Sequence, residues 1–142
     1  MVLKVKKLHP DAIVPPKPYA KDAGLDLCAV EDVVIPAHSR GRVATGLAVE
    51  LPEGTVGLIW DKSGMALKQG IKVMGGVIDE GFRGEVVLCL ANLSDEPQPI
   101  TKGQKAAQML VQKVEHVSVE EVAELSDSER GERGWGSSGT HI

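Results

Sequence analysis

Aromatic side chains are scarce in this chain: 142 residues include one Tyr, one Phe and two Trp, at Tyr19, Phe82, Trp60 and Trp135. Proteins that bind single-stranded nucleic acid line their grooves with several stacking rings, so a broad base-stacking surface is excluded. Cysteine is sparser still. Cys28 and Cys89 have no CxxC spacing and no histidine-rich neighbourhood, which predicts two reduced thiols rather than a disulfide or a zinc site. Long hydrophobic runs are missing too, the longest being Val56–Trp60 and Val86–Ala91, far below the roughly 18 residues a membrane span needs. Met1–Lys7 is basic with no apolar signal core behind it, so a soluble, cytoplasmic protein is expected. With 16 Lys and Arg against 20 Asp and Glu, there is no basic excess. That speaks against nucleic acid or an anionic membrane as partner, while leaving room for a phosphate ligand held by a few local cations.

What is present is turn punctuation. The 16 Gly and 8 Pro exceed average usage without reaching the level of low-complexity disorder, and the length suits one domain. Between Val43 and Leu51 large and small residues alternate with period 2, which predicts a half-buried strand. Pro52-Glu53-Gly54 then turns the chain into a second strand over Thr55–Trp60, as a hairpin or a tight connection. Further strands are expected at Leu3–Lys7, Gly24–Ala29, Val33–Ile35, Ile71–Met74, Val77–Ile78, Glu85–Leu93, Ala107–Val114 and Val117–Val122. One short helix is expected over Ser63–Gly70, with Ser63 as its N-cap and Gly70 as its stop. The remainder reads as an all-β sandwich or barrel.

Residues Ser126–Ile142 differ. They hold four Gly, five Ser and Thr and several charges, with Trp135 and Ile142 as the large apolar groups. Such a segment buries too little to offset its ordering entropy and is expected to be a mobile arm beyond a domain of residues 1–125. A frayed terminus accounts for that composition. Trp135, set between Gly134 and Gly136 and followed by hydroxyls, also fits a clamp that folds over a ligand.

Four constellations carry chemistry. Asp61-Lys62-Ser63-Gly64 opens the short helix, where free N–H groups, a hydroxyl and a lysine suit a phosphate; taken alone, the same residues are a serine cap beside an exposed lysine. Gly75-Gly76-Val77-Ile78-Asp79-Glu80-Gly81-Phe82-Arg83-Gly84 is a glycine-rich strand-turn-strand unit. Asp79 in it is either an ordinary turn residue or a carboxylate able to deprotonate water, and its glycines expose backbone groups to the edge of a planar base. Gln108 stands in a strand that otherwise reads as buried, so its amide needs partners, in the core or on a ligand. The fourth constellation is the arm, Arg130–Thr140.

In this order and spacing, together with Ala23-Gly24-Leu25-Asp26-Leu27-Cys28-Ala29, these segments resemble the five motifs of the trimeric dUTPases, the dUTP diphosphatases. The resemblance runs from about Asp22 to Thr140. It implies a jelly-roll-like β-barrel of the β-clip kind, and a homotrimer whose active sites are shared between subunits and closed by the arm. It implies hydrolysis of dUTP to dUMP and pyrophosphate by water attack at the α-phosphorus, which limits uracil in DNA and supplies dUMP for dTMP synthesis.

On that resemblance Asp79 is the water-activating residue, and Phe82 packs on the deoxyribose where the family has tyrosine. The backbone around Val73, Gly76, Val77, Ile78 and Val87 pairs with the edge of uracil. Lys62, Ser63, Gly64 and Gln108 contact phosphates, Arg130 reaches the γ-phosphate, and Trp135 stacks over the base with Gly136 and Ser137 adding contacts. Mg2+ rides on the triphosphate, and Asp26 holds it through water.

The chain departs from the family in several places. Lys62 replaces an arginine and loses its two-pronged geometry, Trp135 replaces a phenylalanine, and Arg133 stands where a second glycine is common. Gln104-Lys105 replaces an Asp-Arg pair and is expected to make a structural contact between strands or subunits. Three other readings compete. The related dCTP deaminases carry a catalytic glutamate where this chain has Cys89. A catalytically weak or silent dUTPase-like binding protein would not need Asp79, Ser63, Gln108, Arg130 and an aromatic at 135 together. A purely structural β-sandwich would bind no nucleotide.

Overall fold

The computed structural model describes residues 1–16, 19 and 21–134. Its elements in chain order are β1 (Lys4–Lys7), β2 (Leu25–Cys28), β3 (Val33–Ile35), β4 (Arg40–Glu50), β5 (Thr55–Asp61), α1 (Ser63–Gln69), β6 (Ile71–Met74), β7 (Val77–Ile78), β8 (Glu85–Asn92), β9 (Gln98–Ile100) and β10 (Lys105–Lys113). Two antiparallel four-stranded sheets, ordered β1-β4-β8-β6 and β2-β10-β5-β7, are joined by a small β3-β9 ribbon. The jelly-roll-like all-β architecture is as expected, but the sheets keep open edges and do not close into a barrel.

The core is aliphatic. Leu27, Val43, Leu47, Val86, Leu88, Leu90 and Met109 are each at most 1% exposed and belong to one cluster. Along β8 every second residue, Val86, Leu88, Leu90 and Asn92, is buried, and the residues between them are half-buried. That is the pleat of a strand with one face on the core. Asn92 ends the row and holds the β3-β9 ribbon, its amide donating to the carbonyls of Ile35, Pro36 and Glu96 at 2.7–3.2 Å.

Two local expectations need correction, and a third is decided between its two alternatives. Val43–Val49 is buried throughout rather than on alternate residues, because Ala44, Gly46 and Ala48 are small and lie beneath other chain segments. The period-2 pattern there marks size, not exposure. Of the hairpin and the tight connection expected at Pro52-Glu53-Gly54 the tight connection forms: β4 lies in the first sheet and β5 in the second, so the turn is a corner between sheets. Val117–Val122 forms no strand. Regular structure ends at Lys113, and Val117 and Val119 are exposed because that segment has no strand beside it among the described residues.

The helix forms as expected and ends at Gly70 in the left-handed conformation, φ 66°. Its N-cap, however, is Lys62, which makes no side-chain cap bond, so Ser63 is the first helical residue. Two further differences are β9, which was not expected, and β10, which starts at Lys105 rather than Ala107. Cys28 and Cys89 are free, in keeping with reduced thiols. Among the described residues no helix is long and apolar enough to cross a membrane.

Candidate active site

Three segments far apart in the chain meet where β5 ends. In the β2-β10-β5 sheet, Gln108 lies opposite both Asp26 and Trp60, and the chain leaves β5 through Asp61 into the Lys62 cap of α1. Lys62 Nζ stands 2.6 Å from Asp26 Oδ1, and Lys105 Nζ stands 2.7 Å from Asp26 Oδ2. Together with Gly24 and Gln108 these residues line an open cleft of about 340 Å³.

Asp26 is 6% exposed. Burial pushes its carboxyl upward, but the hydrogen bonds and charges of Lys105 and Lys62 outweigh this and hold it below the ordinary carboxylate value. Lys105 moves the opposite way, its ammonium favoured by the Asp26 hydrogen bond. Asp22 also lines the cleft, so the two lysines and two carboxylates of its lining balance, and what suits a polyanion is that both ammonium groups are held in place and still reached by solvent. Ser63 and Gly64 are exposed at the first turn of α1, and the space around the Gly64 Cα is open to a ligand.

Gln108 is held from two sides. Its Nε2 donates to the Asp61 carbonyl at 2.9 Å, while its Oε1 occupies the position a side chain on Gly24 would need. A Cβ there would sit 2.1 Å from that oxygen. Neither Lys105 nor Asp61 stands out in the sequence as a site residue. Lys105 makes the contact between strands expected of it, and it also lines the cleft. Asp61 links three strands: besides accepting from Gln108, it accepts the Val73 N–H at 2.6 Å and pairs with Lys72 at 3.0 Å. One signal for Lys105 was available, since an acid inside the apolar run Leu25–Ala29 needs cations if it is buried.

The Asp79 turn is a separate surface. β7 pairs with β5 at Leu58 opposite Val77 and Gly57 opposite Ile78. Gly57 precedes Lys62 by five residues, which at the rise of a strand places the start of the turn about 16 Å from the cleft along β5. Gly76 adopts φ 103° and packs on β5, where a Cβ would lie 2.9 Å from the Ile59 Cβ. Its carbonyl accepts the Ile59 N–H at 2.7 Å. The Gly76 carbonyl and the Val73 N–H are therefore already engaged within the chain. Ile78 and Val87 are half-buried, and Val77 and Asp79 are exposed. Phe82, 41% exposed, lays its ring against Gly84, and its N–H closes the turn on the Asp79 carbonyl at 3.0 Å.

Arg130 is exposed in a local turn, its Nε donating to the Arg133 carbonyl at 2.7 Å. Trp135, Gly136 and Ser137 lie outside the described residues. Among the described residues no group of three acidic, histidine or cysteine side chains is placed to hold a metal. Asp26 uses each carboxylate oxygen once, which leaves a lone pair on each for a water. This donor set fits an ion brought in by its own ligand and touched through water, not one caged by the protein.

Comparison with known proteins identifies the family and the fold. The family model described as dUTPase matches residues 10–139. A deoxyuridine 5'-triphosphate nucleotidohydrolase of Clostridium kluyveri is 46% identical over 142 residues, covering 99% of each chain, and one of Gloeothece citriformis is 46% identical over 141, covering 98% and 97%. Among solved structures, the Staphylococcus bacteriophage 80alpha dUTPase with dUPNHPP superposes with a TM-score of 0.91 at 30% identity, covering 98% and 99%. A D95N mutant dUTPase of phage phi11, whose structure reveals coordination of a structural Mg(II) ion, gives 0.78 at 27%, covering 87% and 98%. By the extent of these matches and the order of its motifs, the chain belongs to the dUTPase family.

Proposed function

We propose that the protein hydrolyses dUTP to dUMP and pyrophosphate, with water attacking the α-phosphorus. The observation that carries this reading is the Asp26-Lys62-Lys105-Gln108 cleft, which presents two oriented lysines beside the exposed turn of α1. Lys62, Ser63, Gly64 and Gln108 hold the phosphates, and Lys105 adds a second cation. Asp79 takes the proton from the attacking water. Phe82 packs against the deoxyribose, where a 2'-hydroxyl has no room.

Uracil is read by the backbone of Val73, Gly76, Val77, Ile78 and Val87. A cytosine amino group in place of the uracil carbonyl leaves polar groups unpaired there. Mg2+ on the triphosphate neutralises its charge, and Asp26 orients the waters of that ion.

One chain keeps its phosphate cleft and its Asp79 turn on separate surfaces, so a complete site takes the turn from one copy and the cleft from another. Three copies in a ring give three such sites. Residues 126–142 form the arm of each copy, with Arg130 on the γ-phosphate and Trp135, Gly136 and Ser137 over the base. Exposed Val117, Val119, Val122 and Leu125, interleaved with acidic residues, fit the path of that arm across a neighbour. The reaction belongs in the cytoplasm, in keeping with two free thiols.

Pyrophosphate release assayed side by side with dUTP, dCTP, dTTP and UTP tests activity, base choice and sugar choice together. Release from dUTP alone is expected. Equal rates with UTP would remove Phe82 from its role, and no release from any substrate would leave a binding protein.

A further inference from the structure

The turn that carries Asp79 has little to hold it. β7 contributes two paired residues, and the tip closes on one backbone bond, from Phe82 N–H to Asp79 O. Among the described residues the Asp79 carboxylate has no partner of its own. A general base must nevertheless place its oxygen within about 2.6–3.2 Å of the water oxygen whose proton it removes, and a misplacement of about 1 Å can cost roughly 10²-fold.

The next residue supplies the missing restraint. Glu80 Oε2 accepts the Gly54 N–H at 2.9 Å, from the corner that joins β4 to β5. The same oxygen lies 3.7 Å from His116 Nε2, in the segment leaving β10. Gly54 is itself tied down, its carbonyl accepting the Val114 N–H at 3.1 Å, and Thr55 Oγ1 donates to the Pro52 carbonyl at 2.6 Å. Arg83 braces the turn from within, Nη1 donating to the carbonyls of Glu80 at 2.6 Å and Phe82 at 2.9 Å. Glu80 therefore joins the turn to the β4-β5 corner through a charge-assisted bond of the stronger kind, while Arg83 faces Glu50 at the end of β4.

We propose that Glu80 is a positioning residue for Asp79: its carboxylate, anchored on the Gly54 N–H, fixes the Asp79–Phe82 turn against the β4-β5 corner and sets the direction from which Asp79 meets the attacking water. This inference rests on the reading of Asp79 as the base.

The test is kcat and KM for pyrophosphate release from dUTP, measured on the intact chain for wild type, Glu80→Ala, Glu80→Met, Glu80→Gln and Asp79→Asn. Glu80→Ala and the similarly sized Glu80→Met should lower kcat about tenfold or more, with KM within about twofold of wild type. Glu80→Gln keeps an oxygen for the Gly54 N–H and should recover most of kcat. Unchanged kcat in the Ala and Met variants, a loss confined to KM, or a Gln variant no better than Ala would overturn the proposal. If Asp79→Asn turns over normally, the reading of Asp79 fails and this inference with it. If Asp79→Asn is inactive while Glu80→Ala and Glu80→Met are fully active, the Glu80 inference fails by itself.

Discussion

Asp26 and Lys62 are 36 residues apart in the chain and touch at 2.6 Å across the mouth of the cleft. Lys105 takes the other carboxylate oxygen, so one almost inaccessible acid orients two cations that solvent still reaches. A triphosphate entering the cleft therefore meets lysines already held in place, with less side-chain entropy left to lose.

Asp26→Asn should destabilise the protein at neutral pH by about 1–2 kcal/mol, less than for a fully buried pair because both lysines reach solvent. The sign with pH follows from the direction of the shift. A carboxyl held below its ordinary 3.8 in the fold stabilises it at pH values above 3.8, and that contribution is lost as pH falls through the folded value. Denaturant midpoints of wild type and Asp26→Asn should differ at pH 7 and converge in strong acid. A gap that persists undiminished there would show that packing, not charge, is responsible.

Asp79→Asn should bind a non-hydrolysable dUTP analogue as wild type does, yet lose about 10²–10⁴-fold in kcat. Calorimetric titration and pyrophosphate release, run on the same preparation, separate the two effects. Loss of binding with turnover retained per bound nucleotide would place Asp79 in recognition rather than chemistry.

Gly24→Ala should push Gln108 off Asp61, because the new methyl falls 2.1 Å from Gln108 Oε1 and that oxygen must move. Overpacking of this kind costs about 1–3 kcal/mol, and hydrolysis should fall with it. The double variant Gly24→Ala/Gln108→Ala should regain stability relative to Gly24→Ala, as seen in thermal melts; no recovery would mean that the clash is relieved elsewhere.

Truncation after Leu125 should leave a folded assembly with severely reduced hydrolysis. In a Trp60→Phe background, Trp135 fluorescence should change when the analogue binds. An aggregated or dissociated truncation product would make the arm structural, and an unchanged signal would count against its closure over the base.

Much of the fold can be read from local residues. Alternating apolar residues separated by Pro and Gly mark most strands, since a pleated strand with one buried face needs that period, and Ser63–Gly70 reads as a helix because it pairs helix formers with a glycine stop. The candidate site was legible as separate motifs: Gln108 stands out as a polar group in an apolar strand and Lys62 as a cation at a helix start, while Asp26 is marked only by the resemblance to the family's motifs. Lys105 did not, since a lysine at the start of a strand looks like any solvent-facing one until the acid it pairs with is placed opposite. Glu80 was hidden for the same reason, because its partner is a backbone N–H at Gly54.

By itself the sequence determined most of the elements, the position of their turns and the chemical types at each motif, because propensity, periodicity and capping act within a few residues, while β9 was not legible in it. Tertiary structure alone decided that Pro52–Gly54 is a corner between sheets and that Asp26 lies between two lysines. It likewise left Val117–Val122 unpaired and set the Asp79 turn apart from the phosphate cleft. Those outcomes depend on strand order and register, and these are selected by contacts between residues far apart in the chain, where local pattern carries no information about which partner wins.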